Sequence, residues 1–259
     1  MTNAAGQMRA SLICVALAIT AVAAQNAASF KDKQAEELFR NSRIAVAGTP
    51  GAVAKLKTLR FTGKSRLPAT SGAMVGATVE IKILLPDYYM RTDIMTSGER
   101  IEGYAGSKVL NAMRTAGRSS APPESEKRSL LRFEQSELAR LLLGTTTWVS
   151  TEQSMGFYSR GTPVEMPGQA GPLGLDVVDD EGHPLLRFFV EAESRFPARI
   201  VFSGSERAVW TMTFADRRPV SGWQLPHHIT TTSQRGTVDE LIFDEMLVNP
   251  PLTKADFQR

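Results

Sequence analysis

Val209-Trp210-Thr211-Met212-Thr213-Phe214 is the stretch on which the fold turns. In an extended chain successive side chains point to opposite sides, so Trp210, Met212 and Phe214 share one face and Val209, Thr211 and Thr213 the other. That alternation predicts a strand. Val79-Glu80-Ile81-Lys82-Ile83 repeats it with charges on the second face, the mark of a sheet wet on one side. Working outward, Leu186 to Val190, Ala198 to Phe202, His228 to Thr232 and Val238 to Val248 read as further strands. Ser233 to Thr237, with Gly236, reads as a hairpin loop, and Asn249-Pro250-Pro251 stops the last strand. Toward the N-terminus, Leu59 to Thr62, Tyr88 to Met95 and Lys108 to Met113 are strand-like, broken by a loop at Pro68 to Gly76 and turns at Pro86-Asp87 and Ser97-Gly98.

Two helices interrupt the strands. Asp32 to Ala47 carries Lys33, Gln34, Ala35, Glu36 and Glu37, all good helix formers, and Gly48-Thr49-Pro50-Gly51 ends it. Glu126 to Leu143 places Leu131, Leu138 and Leu142 at intervals of seven and four, with Gly144 as the expected C-cap. Ala116 to Ser125 and the Gly- and Pro-rich Arg160 to Gly174 read as loops. The count is about eight to eleven strands. No βαβ alternation appears, so the class is mainly β with helices (α+β), an antiparallel sheet or open barrel.

Composition narrows the function classes. The chain has 259 residues, 42% hydrophobic and 22% charged, enough for one compact domain with a sizeable core. Thirty Lys and Arg stand against 27 Asp and Glu, a net charge of +3 spread too evenly to predict a nucleic-acid partner. The N-terminus reads as an export signal. Arg9 is followed by an apolar run from Ala10 to Ala24, broken only by Ser11 and Thr20, and by the small residues Ala21-Val22-Ala23. About fifteen apolar residues suit a signal peptide better than a membrane span. Residues 1–24 are therefore expected to be removed, leaving 25–259 as a single domain that begins near Ala24 or Gln25. A buried N-terminal helix or a retained anchor is the alternative. Cys14 lies mid-run after Ile13, which does not fit a lipobox.

Catalytic motifs find little purchase. Gly63-Lys64-Ser65 resembles the tail of a P-loop, but Thr58 stands where the motif needs glycine, and the segment reads as a strand. There is no G-x-S-x-G elbow. His227 and His228 are adjacent in a strand and point apart, and His183 sits beside Asp180-Glu181-Gly182, which reads as a solvated hairpin turn. No metal, cofactor or catalytic residue is predicted. The apolar residues on strands are more informative. Phe61, Ile81, Ile83, Tyr89, Met113, Phe188, Trp210, Met212, Phe214 and Trp223 either line an apolar cavity under helices or form a packed core.

Phe214-Ala-Asp-Arg-Arg-Pro-Val-Ser-Gly-Trp-Gln-Leu-Pro-His-His-Ile229 resembles the F-x-D-x-R-x-V-x-G-x-x-L-P-x-x-I stretch of periplasmic proteins related to the outer-membrane lipoprotein carriers, the LolA/LolB-like family. Val248-Asn249-Pro250-Pro251-Leu252, with Phe257, is similar to the end of those chains, and Lys82 to Arg91 to their K-x-P-d-k-x-R strand pair. The resemblance implies an open antiparallel half-barrel covered by helices, with an apolar cavity for lipid acyl chains or lipoproteins. It implies a non-catalytic carrier, periplasmic and expected to act as a monomer, with envelope membrane proteins as further partners. Three positions depart from the family pattern: Leu85 stands where carriers place an arginine, Ala105 where they place the aspartate of a D-G turn, and Leu110 where a tryptophan follows. An envelope sensor or scaffold of the same fold is therefore the second reading, and a hydrolase the third.

Overall fold

The computed structural model describes residues 29–49, 51–68, 73–115, 118–149, 156–160, 173–179, 181–203 and 208–258. The expected signal peptide, residues 1–24, lies outside them, as does most of the loop expected at 160–174.

Asp32 adopts an extended backbone, and its side chain accepts the Ala35 N–H at 2.7 Å. That cap starts α1 (Lys33–Ala47), and Gly48 ends it at φ 72 with its N–H on the Ile44 carbonyl. Strands follow: β2 (Thr58–Pro68), β3 (Met74–Leu84), β4 (Tyr88–Met95), β5 (Gly98–Ala105), β6 (Lys108–Val109), β7 (Ala112–Thr115) and β8 (Arg118–Ser120). Then come α2 (Lys127–Thr146), β9 (Gly156–Arg160), β10 (Leu173–Val178), β11 (Pro184–Val190), β12 (Pro197–Ser203), β13 (Val209–Val220), β14 (Trp223–Ser233) and β15 (Gly236–Val248). A two-residue β1 (Ser29–Phe30) precedes α1.

Among the described residues, fifteen strands form one open sheet in the order β1-β9-β10-β11-β12-β13-β14-β15-β2-β3-β4-β5-β7-β8, with β6 also on β5. Among the described residues every pairing is antiparallel except β1 with β9. The sheet is thus two meanders, β2 to β8 and β9 to β15, joined where β15 pairs with β2. The β13–β14 connection is a two-residue turn, with Ser221 at φ 49 and Gly222 at φ 85. Positive φ at both central residues matches the right-handed twist of the strands.

Fifteen strands exceed the eight to eleven expected. The extra strands are short, like β1, or lie in the stretch that reads as a loop, like β8, or fall where the sequence pattern assigns no element, as β5 and most of β9 and β10 do. Lys108 to Met113 is not one strand but β6 and β7. Asn111 interrupts them by turning its side chain to accept the Gly103 N–H at 3.1 Å. Gly144 is not a cap either. It lies inside α2, which runs on to a left-handed Thr147 at φ 56.

Both helices lie on one face of the sheet and share a single hydrophobic cluster with it. α1 packs on β9 and β14, and α2 spans from β12 to β5, connecting the two meanders. The opposite face carries a small second cluster. Phe257 of the C-terminal tail packs there over Met90 and Ile101. Asn249, at φ 57, ties that tail to the start of β2 by accepting the Lys57 N–H at 2.8 Å.

Candidate functional site

Cross-strand register defines the face beneath the helices. On the β9–β15 meander it reads Leu175, Phe188, Ile200 and Met212 across successive strands, then Phe214, Ile229 and Leu241 one row along. These side chains are apolar and at most 5% exposed. Phe39 of α1 stands among them, with ring centroids 4.8 Å from Phe157 and 6.1 Å from Phe188. Gly144 of α2 lies so close to the sheet that a Cβ there would fall 1.8 Å from the Phe214 ring. The glycine is what lets the aromatic ring seat against the helix backbone.

The end of α2 is buried from Leu141 to Thr147, which hides its last carbonyls from water. Two arginines from elsewhere in the chain satisfy them. Arg217 donates to the Gly144 carbonyl at 3.1 Å, and also to the carbonyls of Pro197 and Gln224. Arg43 of α1 donates to the Thr147 carbonyl at 3.3 Å. Burial lowers both arginines to about 10, so both remain cationic at neutral pH, favourably placed at a helix C-terminus.

The β2–β8 meander is built differently. Its first row, Leu59, Ile83, Tyr89 and Tyr104, is apolar and aromatic. The next row is Phe61, Ile81, Arg91 and Glu102, and the next Gly63, Val79, Asp93 and Arg100. Charge therefore enters the interior at β4 and β5. Arg91 bonds Asp93 at 2.9 and 3.2 Å and Asp239 of β15 at 2.5 and 2.9 Å. Two strands separate β4 from β15, a span of about 14 Å in a flat sheet. The sheet must curl for these side chains to meet. Asp93 also accepts from Ser65 at 2.6 Å and Arg100 at 3.1 Å. Burial alone would raise Asp93, but Arg91, Ser65 and Arg100 hold it below the usual carboxylate range. Burial likewise works against the charge on Arg91, and Asp239 and Asp93 more than restore it.

Glu134 of α2 closes this charged end from above. It is 2% exposed and accepts from the Asn111 amide at 2.8 Å. Burial pushes it up to about 7, with nearby Glu102 and Glu137 adding to the shift. Burial raises Glu102 as well. Beside them a hollow of about 340 Å³ opens to solvent, lined by Arg100, Glu102, Asn111, Met113, Pro122 and Leu130 among others.

The structure brings together eight of the ten cavity candidates. Phe61, Ile81, Ile83, Tyr89, Phe188, Met212, Phe214 and Trp223 all belong to the main cluster, and Trp210 packs against it half-buried. Met113 does not join them. It shares a face with Arg100 but lies at the sheet's edge, 38% exposed, in the hollow. Trp223 is 6% exposed, inside the cluster beside the β13–β14 turn. Arg91, Asp93, Asp239 and Glu134 were not anticipated. The signal was present in Tyr89, because Arg91 and Asp93 share its face by the period of two.

The histidines are structural or exposed. The His227 Nδ1 lies 2.8 Å from the Phe243 carbonyl, and His228 faces Glu240 at 3.0 Å. His183 belongs to the β10–β11 turn, where the Asp179 carboxylate accepts its N–H at 2.8 Å and that of Glu181 at 3.0 Å.

Solved structures share this architecture. A domain assigned to outer-membrane lipoprotein sorting from Vibrio parahaemolyticus aligns with a TM-score of 0.52 and 13% identity, over 87% of this chain and 97% of that one. A LolA superfamily protein from Nitrosomonas europaea gives 0.52 and 11%, and a DUF1329 family protein from Desulfovibrio piger 0.55 and 8%, each with the same coverage. No protein-family profile and no curated protein matches the chain. At these identities the likeness establishes the fold.

Proposed function

We propose that this LolA-like fold serves as a periplasmic, non-catalytic binding protein for lipid acyl chains or lipoproteins. The supporting observation is the continuous apolar face of the β9–β15 meander, roofed by two helices that share its hydrophobic cluster. Each buried CH₂ is worth ~0.8 kcal/mol, so a 14-carbon chain gains roughly 11 kcal/mol on leaving water. That is enough to compete with the helix side chains that occupy the face in the closed form. Phe39, Leu38 and Leu142 would move aside and the chain take their place. Among the described residues no helix is long and apolar enough to cross a membrane, which is consistent with a carrier that meets membranes only in transit.

The test is direct. Protein purified from an envelope fraction without detergent should release acyl lipid on organic extraction, near one equivalent by mass spectrometry. It should also take up a fluorescent fatty acid after delipidation. A preparation that carries no lipid and takes up no probe would overturn the reading. The second reading, an envelope sensor or scaffold of the same fold, draws on the tight packing of Phe61 with Phe243, 5.2 Å between centroids, and of Tyr89 with Tyr104 at 6.4 Å. It also draws on Leu85, Ala105 and Leu110 at the family's motif positions. It predicts the same failure to take up lipid.

A further inference from the structure

Where α1, α2 and β13 meet, two arginines stand inside the protein without a counter-charge. Arg43 donates its Nε–H to the Thr147 carbonyl, and among the described residues no carboxylate pairs with it. Arg217 donates only to carbonyls. The one carboxylate whose charge it feels is Glu191, which is exposed and accepts the Ser194 hydroxyl. Arg91, the buried arginine of the other meander, has both Asp93 and Asp239. A buried cation whose partners are all neutral carries an uncompensated charge.

Donors are left over at the same place. Arg43 Nη2 and Arg217 Nε are buried nitrogens with no acceptor, and Ser42, wholly buried, has no partner for its hydroxyl. Ser42 and Arg43 follow Phe39 by three and four residues on α1, so the three share a face. The carbonyls that hold the two arginines, Gly144 and Thr147, are three residues apart, within one turn at the end of α2. The surroundings are apolar. The Arg43 guanidinium lies 4.7 Å from the Phe39 ring centroid, and that of Arg217 5.1 Å from Phe196. Phe39 belongs to the hydrophobic cluster under the helices, and Phe196 packs against it. Unpartnered donors and apolar interior are therefore contiguous, the arrangement an amphiphile with an anionic head needs.

We propose that Ser42, Arg43 and Arg217 form the head site for a long-chain fatty acid, receiving its carboxylate at the end of α2 while its tail takes the place of Phe39 against Phe157 and Phe188. The inference rests on the acyl-binding reading above. The choice of a carboxylate follows from the donors left over. A carboxylate has two acceptor oxygens and no donor, so one guanidinium N–H can serve each oxygen and the serine hydroxyl a remaining lone pair. Its charge gives the two arginines the partner they lack, and its chain continues into carbon rather than water. An ester of the same length brings no charge, and an amine brings a third cation.

The full chain, delipidated and loaded with the neutral dye N-phenyl-1-naphthylamine, separates these cases. Dodecanoate, methyl dodecanoate, dodecylamine and dodecyl phosphate would compete for the dye's place at about pH 8, where the carboxylate is ionised and both arginines are charged. Dodecanoate should displace the dye at a concentration at least tenfold lower than the ester or the amine, and lower than the phosphate. Arg43→Gln with Arg217→Gln should abolish the preference for dodecanoate over the ester while the dye still binds. Arginines that only brace the helices would instead weaken every ligand alike and leave the preference unchanged. Arg43→Gln alone, which removes a single bond to α2, should reduce the preference severalfold and serves if the double variant does not fold. Equal displacement by carboxylate and ester, tighter binding of the phosphate, or a preference that survives the substitutions overturns the head-site assignment while leaving acyl binding in place. If neither the dye nor any of the four chains binds, the acyl-binding reading fails as well.

Discussion

The two meanders solve the same problem, covering one face of a sheet, by opposite means. β9 to β15 buries carbon. Most of its inward residues are Leu, Val, Ile, Met and Phe, and the contact with the helices is close enough to require glycine at position 144. β2 to β8 begins the same way at Tyr89 and Tyr104, then gives its interior over to Arg91, Asp93, Arg100 and Glu102. Carbon packing is non-directional and tolerates replacement by another apolar chain. A buried ion network is directional and tolerates neither a gap nor a missing partner. One arm is therefore suited to exchanging its contents, and the other to holding the curl of the sheet and a defined orientation of whatever lies against it.

The difference can be broken most forcefully at Arg91. Arg91→Met leaves Asp93, fully buried, without its main counter-charge, and the cost should be about 3–5 kcal/mol in urea unfolding. Adding Asp93→Asn should recover part of that loss. A change below about 1 kcal/mol for Arg91→Met would mean that charge does not hold this arm.

Next in size is the pH dependence of Glu134. Glu102 of β5, Glu137 of α2, Arg91 of β4 and the Asn111 amide surround it, and it titrates near 7 in the fold against an ordinary 4.5. Because the folded value is raised, its protonated form stabilises the fold fully below about pH 4.5. That contribution is lost as pH rises through 7, up to about 3 kcal/mol. Glu134→Gln keeps the Asn111 contact and removes the charge. It should unfold at a higher urea concentration than the wild type at pH 8 and at about the same concentration at pH 4.5. Parallel pH profiles for the two proteins would show that Glu134 does not titrate in this range.

The smallest expected effect sharpens the other arm. Gly144→Ala would gain about 1 kcal/mol in helix propensity, yet its Cβ would meet the Phe214 ring. Overpacking of this kind costs about 1–3 kcal/mol, so the variant should be modestly destabilised, and Phe214→Leu in the same chain should reverse part of the loss. If Gly144→Ala alone stabilises the protein, the interior under α2 already has room to spare.

The apolar arm was legible in the sequence because its strands alternate. Trp210, Met212 and Phe214 lie on the face that their spacing assigns, and α1 spans the stretch its helix formers mark and ends at Gly48. The charged arm was not. Period two assigns Arg91 and Asp93 to the inner face along with Tyr89, but charge on a strand ordinarily marks the wet side. Arg91 is held inside by Asp93 and by Asp239, 148 positions away, and Asp93 by Arg91, Ser65 and Arg100. β9 and β10 flank a run of glycine and proline that hides them. Gly144 read as a cap because glycine near a helix end usually is one. Nothing local announces that an aromatic ring from β13 needs the space.

The seam between β15 and β2 has a consequence for how the protein is made. Glu240 and Arg66, partners across it, are 174 positions apart. A ribosome delivers β2 long before β15, so one edge of β2 stays open until nearly the whole chain has emerged. Pairing over such separations is slow, and an exposed strand edge invites other chains to pair with it. Three of the outward side chains along β2, Arg60, Lys64 and Arg66, are cationic, and while Arg60 is paired with Glu80 of β3, Lys64 and Arg66 set like charge against a second copy of that edge. When β15 arrives, Glu240 meets Arg66 at 3.1 Å, and the repulsion that guarded the nascent edge becomes an attraction that marks its register.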